Sequence, residues 1–176
     1  MKGILFKDEM VRAICNTLPD VWPAQPIDAG LPCKWQTRRR VNPQPMPNTN
    51  RAIPSYLCIE EKLKYRVGEI IYVKEVFVRR GLVVFYRSDY NGEFQPGWKS
   101  SLIMPASDAR LWLKVMGAHV ERVHEILPAD CLAEGVRSRS EYEELYNSIN
   151  GPGSFDRDWC FVYTFQRVSK PSKGKD

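Results

Sequence analysis

Apolar and polar positions change period several times along the chain, and each change predicts an element. Gly3-Ile4-Leu5-Phe6 is a short apolar run and predicts a strand. Met10, Val11, Ile14 and Cys15 then fall on one helical face, which predicts a helix with Asp8 as its N-cap and Leu18-Pro19 as its end. Residues 19–33 carry Pro19, Pro23, Pro26, Gly30 and Pro32 and predict a loop. Trp35 to Val41 predicts extended chain. The proline-rich stretch after it, within residues 42–54, predicts an exposed insertion.

Arg66-Val67-Gly68-Glu69 predicts a turn, and Ile70 to Val78 one strand, because it is rich in β-branched and aromatic residues. Gly81 marks a hairpin turn before Leu82 to Tyr86, and Asp89, Asn91 and Gly92 mark another. Leu111 to Val123 predicts a long strand. Leu127 to Glu134 predicts a short helix, with Pro128 near its start and Gly135 after its end. Ser140 to Ile149 predicts an amphipathic helix with a Ser140/Glu143 capping box, stopped by Asn150-Gly151-Pro152-Gly153. Trp159 to Val168 alternates as a final strand. The expectation is an α+β fold: about six mostly antiparallel strands in a small barrel, flanked by about three helices. Residues 1–168 are expected to form a single domain and 169–176 a basic disordered tail.

Composition narrows the class. The chain has 176 residues, 43% hydrophobic and 27% charged, which fits an ordinary globular domain. No apolar run approaches the roughly 20 residues of a membrane span. Lys2, Lys7, Asp8 and Glu9 interrupt the first apolar positions, so no signal peptide is expected, nor a membrane partner, and the expected location is cytoplasmic. The five cysteines are scattered and never form a C-x-x-C pair, which fits free thiols better than a zinc ribbon or a disulfide framework. A net charge of +5 favours an anionic partner such as nucleic acid.

The densest chemistry lies in Pro32-Cys33-Lys34-Trp35-Gln36-Thr37-Arg38-Arg39-Arg40-Val41. A hydroxyl can be a nucleophile, an amine a base or a charge clamp, and arginines bind phosphate bidentately. A basic run is ordinarily a solvated face. Lys34 can act as a base only where burial or a neighbouring cation depresses its pKa, whereas a carboxylate such as Glu75 beside it would keep it charged. Residues three apart on a regular strand face opposite sides, so Lys34 and Thr37 can share a pocket only if the segment bends, which Pro32 permits. Trp98 and Lys99 are candidates to stack on and clamp a nucleotide. His119 and His124 are expected on opposite faces of a strand, so no metal is expected.

The order of several of these pieces resembles the ASCH superfamily, relatives of the PUA RNA-binding domains, and its phage and prophage members in particular. The matching residues are Met1-Lys2-Gly3-Ile4-Leu5-Phe6-Lys7 with Met10-Val11-Arg12-Ala13-Ile14, then Lys34-x-x-Thr37-Arg38-Arg39 and Gln44-Pro45. They continue with Tyr65-x-Val67-Gly68-Glu69, Val73-Lys74-Glu75-Val76-Phe77, Pro96-x-Trp98-Lys99, Met104-Pro105, Ala133-Glu134-Gly135 and Ser148-Ile149-Asn150-Gly151. The resemblance implies a PUA-like barrel with a cleft. It also implies similarity to the branch that hydrolyses N4-acetylcytidine, with Lys34, Thr37 and Glu75 as the catalytic set and no cofactor. The implied partner is RNA or a modified nucleoside, with Arg38, Arg39, Trp98 and Lys99 as binding residues. A non-catalytic RNA-binding module and a metal-independent ribonuclease are the alternatives that the same family implies.

Overall fold

The computed structural model describes residues 1–44, 62–90 and 97–171. Most of the proline-rich insertion and the end of the basic tail lie outside the described residues. The chain divides into two compact units: Met1–Cys33, Ile70–Lys114 and Gln166–Asp176 form the first, and Lys34–Glu69 with Val115–Phe165 the second. The described residues contain seven strands in two sheets and four α-helices, a mixed α+β architecture. The described strands do not close into a barrel, because β1 (Gly3–Leu5) and β2 (Gln36–Arg40) each pair on one side only.

In the first unit β1 runs parallel to β3 (Ile70–Lys74), with Ile4 opposite Val73. On its other side β3 pairs antiparallel with the start of β6 (Trp112–Arg122), with Ile71 opposite Leu113. Helix α1 (Asp8–Cys15) buries Val11, Ala13 and Ile14, the face its apolar spacing predicts. Burial of the Val11 and Ile14 side chains contributes on the order of 1.5–3 kcal/mol each. The residue at its cap is Lys7; Asp8 is already helical and forms an ion pair with Arg87.

The strand expected over residues 70–78 is two strands. It breaks at Glu75-Val76, and β4 (Phe77–Arg80) then pairs with β5 (Val83–Tyr86) as the expected hairpin. The break lets the Glu75 carboxylate turn inward to Ser88 and Arg110, and a buried carboxylate requires such partners. Phe77 packs with Tyr72, Met104, Ala109 and Trp112.

In the second unit β2 pairs antiparallel with β7 (Trp159–Val168), from Gln36 opposite Thr164 to Arg40 opposite Cys160. Trp35 extends the ladder by one bond, accepting from the Phe165 amide at 2.8 Å. Helix α2 (Pro128–Ala133) begins with Pro128, as expected. It ends with two reverse bonds, Gly135 N–H to Leu132 O and Val136 N–H to Cys131 O. That closure needs a left-handed residue, and Gly135 has φ +84°. Helix α3 (Arg139–Asn150) starts before the expected Ser140: Ser138 is its cap and accepts from the Glu141 amide at 3.2 Å. Both serines have Glu three positions on, so the spacing alone did not separate them. Tyr142 and Tyr146 form its buried face, and Tyr142 meets Phe155 of the short, unexpected α4 (Ser154–Arg157) edge to face.

Gly117 in β6 marks a close approach to β7. A Cβ there would lie 2.6 Å from Thr164 Oγ1, and a β-branched neighbour rotates away only with difficulty. Gly117→Ala is expected to cost about 1–3 kcal/mol in urea unfolding, and Thr164→Ala in the same chain to recover most of that loss. Purely additive losses would show that the approach is not tight.

Candidate active site

Lys34 is the second unit's first residue, and it lies just before β2. It is 2% exposed, and Thr37 is 4% exposed. Strand β2 begins at Gln36, so residues 33–38 are not one regular strand and Lys34 precedes it. Lys34 does not lie on the surface. Its Nζ donates to Glu134 Oε2 at 2.6 Å and to the Glu134 main-chain carbonyl at 2.7 Å. That carbonyl is one of those left open at the end of α2, and the Trp35 amide fills another, Ala133 O, at 3.0 Å. Residues 34 and 35 thus cap the helix C-terminus, where a cation is favoured.

The other Glu134 oxygen accepts from Arg38 at 3.2 Å. Arg38 also donates through Nε to Glu121 at 2.6 Å and through its other terminal nitrogen to Asp130 at 3.1 Å. Its side chain is fully buried, and each of its three nitrogens meets a carboxylate. The guanidinium expected to clamp phosphate clamps carboxylates instead, because burial demands that its charge be compensated within the protein. Arg39 lies partly buried one residue on, and Arg40 forms an ion pair with Asp158 at 2.8 Å.

The electrostatics follow from this placement. Burial pushes Lys34 below the ordinary lysine value, and Arg39 and Arg38 add to that push; Glu134 opposes it as counter-ion and hydrogen-bond acceptor. Burial also disfavours the Arg38 charge, but Glu134 and Glu121 outweigh it and hold the group above its ordinary value. Burial raises Glu121, and its bonds to His119 and Arg38 reverse that, leaving it below the ordinary carboxylate range. Alternation along β2 sets Thr37 and Arg39 on one face and Arg38 on the other. Lys34, before the strand, feels cations from both faces.

Glu75, Trp98 and Lys99 belong to the first unit. Glu75 is 1% exposed and receives a two-pronged contact from Arg110, at 3.1 and 2.9 Å, and a bond from Ser88 Oγ at 2.8 Å. Arg110 also meets Asp89 at 2.7 Å and stacks over Tyr86. Trp98 is half-buried, edge to face with Tyr90 at 5.8 Å, and its indole N–H is buried with no acceptor among the described residues. Lys99 is exposed, and its backbone bridges Phe77.

The sequence reading passed over Glu134, Glu121, Asp130, Ser88 and Arg110. Glu134 did stand in Ala133-Glu134-Gly135, among the residues that carry the resemblance, and at the end of the expected helix, but no chemistry was assigned to it. Comparison with family models, with curated proteins and with solved structures finds no match. No described helix is long and apolar enough to cross a membrane.

Burial also raises Tyr142, Tyr146, Tyr163 and Cys160 above their ordinary values. The unfolded chain loses these protons from about pH 8.5 to 10, before the folded chain does. The folded state then binds more protons, so stability falls as pH rises through that window. The depressed Lys34 works in the opposite sense but is one group against four. Thermal unfolding is expected to show a lower midpoint at pH 10 than at pH 8; an unchanged or higher midpoint would contradict the placement of these groups.

Proposed function

We propose that the protein is an amidohydrolase of the ASCH type that removes the acyl group from an N4-acetylcytidine-like nucleoside, free or within RNA. The observation that carries this reading is the buried Lys34 amine, whose proton is contested between burial and two arginines on one side and Glu134 on the other. Ionisable groups perturbed in this way are concentrated at functional sites. Thr37, a buried hydroxyl three residues on, supplies the matching nucleophile.

In this reading the neutral Lys34 amine takes the Thr37 hydroxyl proton as Oγ attacks the acyl carbon. The carbon–nitrogen bond breaks, the nucleoside amine leaves with the proton from Lys34, and the acyl group remains on Thr37 as an ester. Water then hydrolyses the ester, releasing the carboxylic acid and restoring the hydroxyl. The commitment of Arg38 to three carboxylates favours a small ligand over a phosphate track along residues 38–40.

Purified protein is expected to convert N4-acetylcytidine to cytidine, with Lys34→Ala and Thr37→Ala each lowering the rate by about 100-fold or more. Glu75→Gln tests the carboxylate that the resemblance adds, after its folding is checked, because it removes a partner of Arg110. A folded wild type without turnover, or full turnover in either of the first two variants, would overturn the reading.

A further inference from the structure

Strand β5 (Val83–Tyr86) is the outer strand of the hairpin, and among the described residues its far edge meets no other strand. The hairpin register tells which of its backbone groups are open. Phe77 stands opposite Tyr86, and Arg79 opposite Val84. Phe77 exchanges both of its backbone bonds with Lys99, on the side away from β5, at 3.3 and 2.8 Å. Opposed residues in an antiparallel pair alternate between bonding each other and both facing away. Phe77 faces away, so Tyr86 does too, and two residues earlier so does Val84. No described residue bonds the N–H or C=O of either. Their side chains pack on the cluster of Phe77 and Trp112, which leaves Val83 and Phe85 on the opposite face.

Such an edge is a template for another strand unless something guards it. The outer strands of the five-stranded sheet are guarded: β2 carries Arg38, Arg39 and Arg40, and β1 is three residues long between Lys2 and Lys7. Strand β5 reads Val83-Val84-Phe85-Tyr86, with neither charge nor proline, and Leu82 at the turn before it is 97% exposed and Val83 54% exposed. The nearest cations are already committed, Arg79 to Asp108 and Arg87 to Asp8.

We propose that β5 is a dimerisation edge: it pairs antiparallel with β5 of a second copy of the chain, about a two-fold axis beside Phe85, and joins two hairpins into one four-stranded sheet. A second copy fits because it presents the same two outward residues at the same spacing. With Phe85 opposite the partner's Phe85, Val84 bonds the partner's Tyr86 and Tyr86 the partner's Val84, so every open N–H and C=O of both residues is used. Placing Val84 opposite itself would set Tyr86 against the turn at Leu82 and leave part of the edge unpaired. In the first register the two Phe85 rings form a close pair without backbone bonds between them, an aromatic cross-strand contact that stabilises sheets. No charge faces a like charge along the strand. Four strands also hold together where a lone hairpin is marginal.

Sedimentation of the full chain over a range of concentrations tests this. The wild type is expected to pass from monomer to dimer in the micromolar to sub-millimolar range, because a four-residue edge makes a small interface. Hydrogen exchange at the Val84 and Tyr86 amides is expected to slow as concentration rises, while the Val83 and Phe85 amides, already bonded to β4, stay unchanged. Phe85→Lys and Phe85→Glu each bring like charges together at the two-fold axis and are expected to raise the dissociation constant about tenfold or more. Mixed in equal amounts, the two variants are expected to associate again, because opposite charges then meet. Should either variant fail to fold, Val84→Pro decides: it removes an outward N–H and leaves the hairpin's own bonds in place. A wild type that stays monomeric, a dimer that survives these substitutions, or a mixture that stays dissociated would overturn the proposal. So would association that weakens as salt is added, since copies of net charge +5 repel each other and salt screens that repulsion.

Discussion

Burying Arg38 imposes a constraint that organises the second unit. A guanidinium removed from water must find compensating charge within the protein, since the desolvation cost amounts to several kcal/mol per ion. Arg38 finds it in three places: Glu121 on β6, Asp130 within α2 and Glu134 at the end of α2. These contacts draw one strand and one helix end toward β2. They also divide Glu134 between two cations, and the second of these is Lys34. The environment of the candidate base thus follows from a residue that need not touch substrate.

The first unit solves a similar problem independently. Glu75 turns inward at the break between β3 and β4 and is met by Arg110 and Ser88, with Asp89 completing the shell of Arg110. Here the buried charge is a carboxylate and the compensating cation is an arginine on the segment before β6. Burial works against the Arg110 charge, and its bonds to Glu75 and Asp89 outweigh that. The first unit therefore carries Glu75 of the expected catalytic set and the second Lys34 and Thr37, and the charges of Glu75 and Lys34 each meet counter-ions within their own unit.

The elements were largely legible in the sequence where one face is apolar. The helical spacing of Val11 and Ile14, the alternation through Trp159 to Val168 and the Pro128/Gly135 pair around α2 each describe a local rule, and the structure follows them. The failures share a cause. The strand over residues 70–78 looked continuous because its residues favour β structure, but burial of Glu75 required a turn toward partners far away in the sequence. The Ser140 cap lost to Ser138, although both satisfy the same local spacing. At the site, Lys34, Thr37 and Arg38 were singled out by residue type, and all three are buried. Their partners were not legible, because Glu134 and Glu121 lie about a hundred residues away and ordinary-looking helix and strand positions carry them. Local pattern names the group that needs compensation, and only the tertiary fold names what compensates it.

The coupling between Lys34 and Glu134 is the quantity on which the account turns, and a double-mutant cycle measures it directly. Lys34→Met, Glu134→Gln and the double variant would be compared with the wild type by urea unfolding. Glu134→Gln alone removes the carboxylate partner of buried Lys34 and one of the three of Arg38, and is expected to cost about 3 kcal/mol or more, whereas Lys34→Met leaves Glu134 paired with Arg38 and costs less. The account predicts that the double variant is more stable than the sum of the two losses implies, by at least about 1 kcal/mol. Losses that simply add would mean that Lys34 and Glu134 do not sense each other, and the contest over the Lys34 proton would have no physical basis.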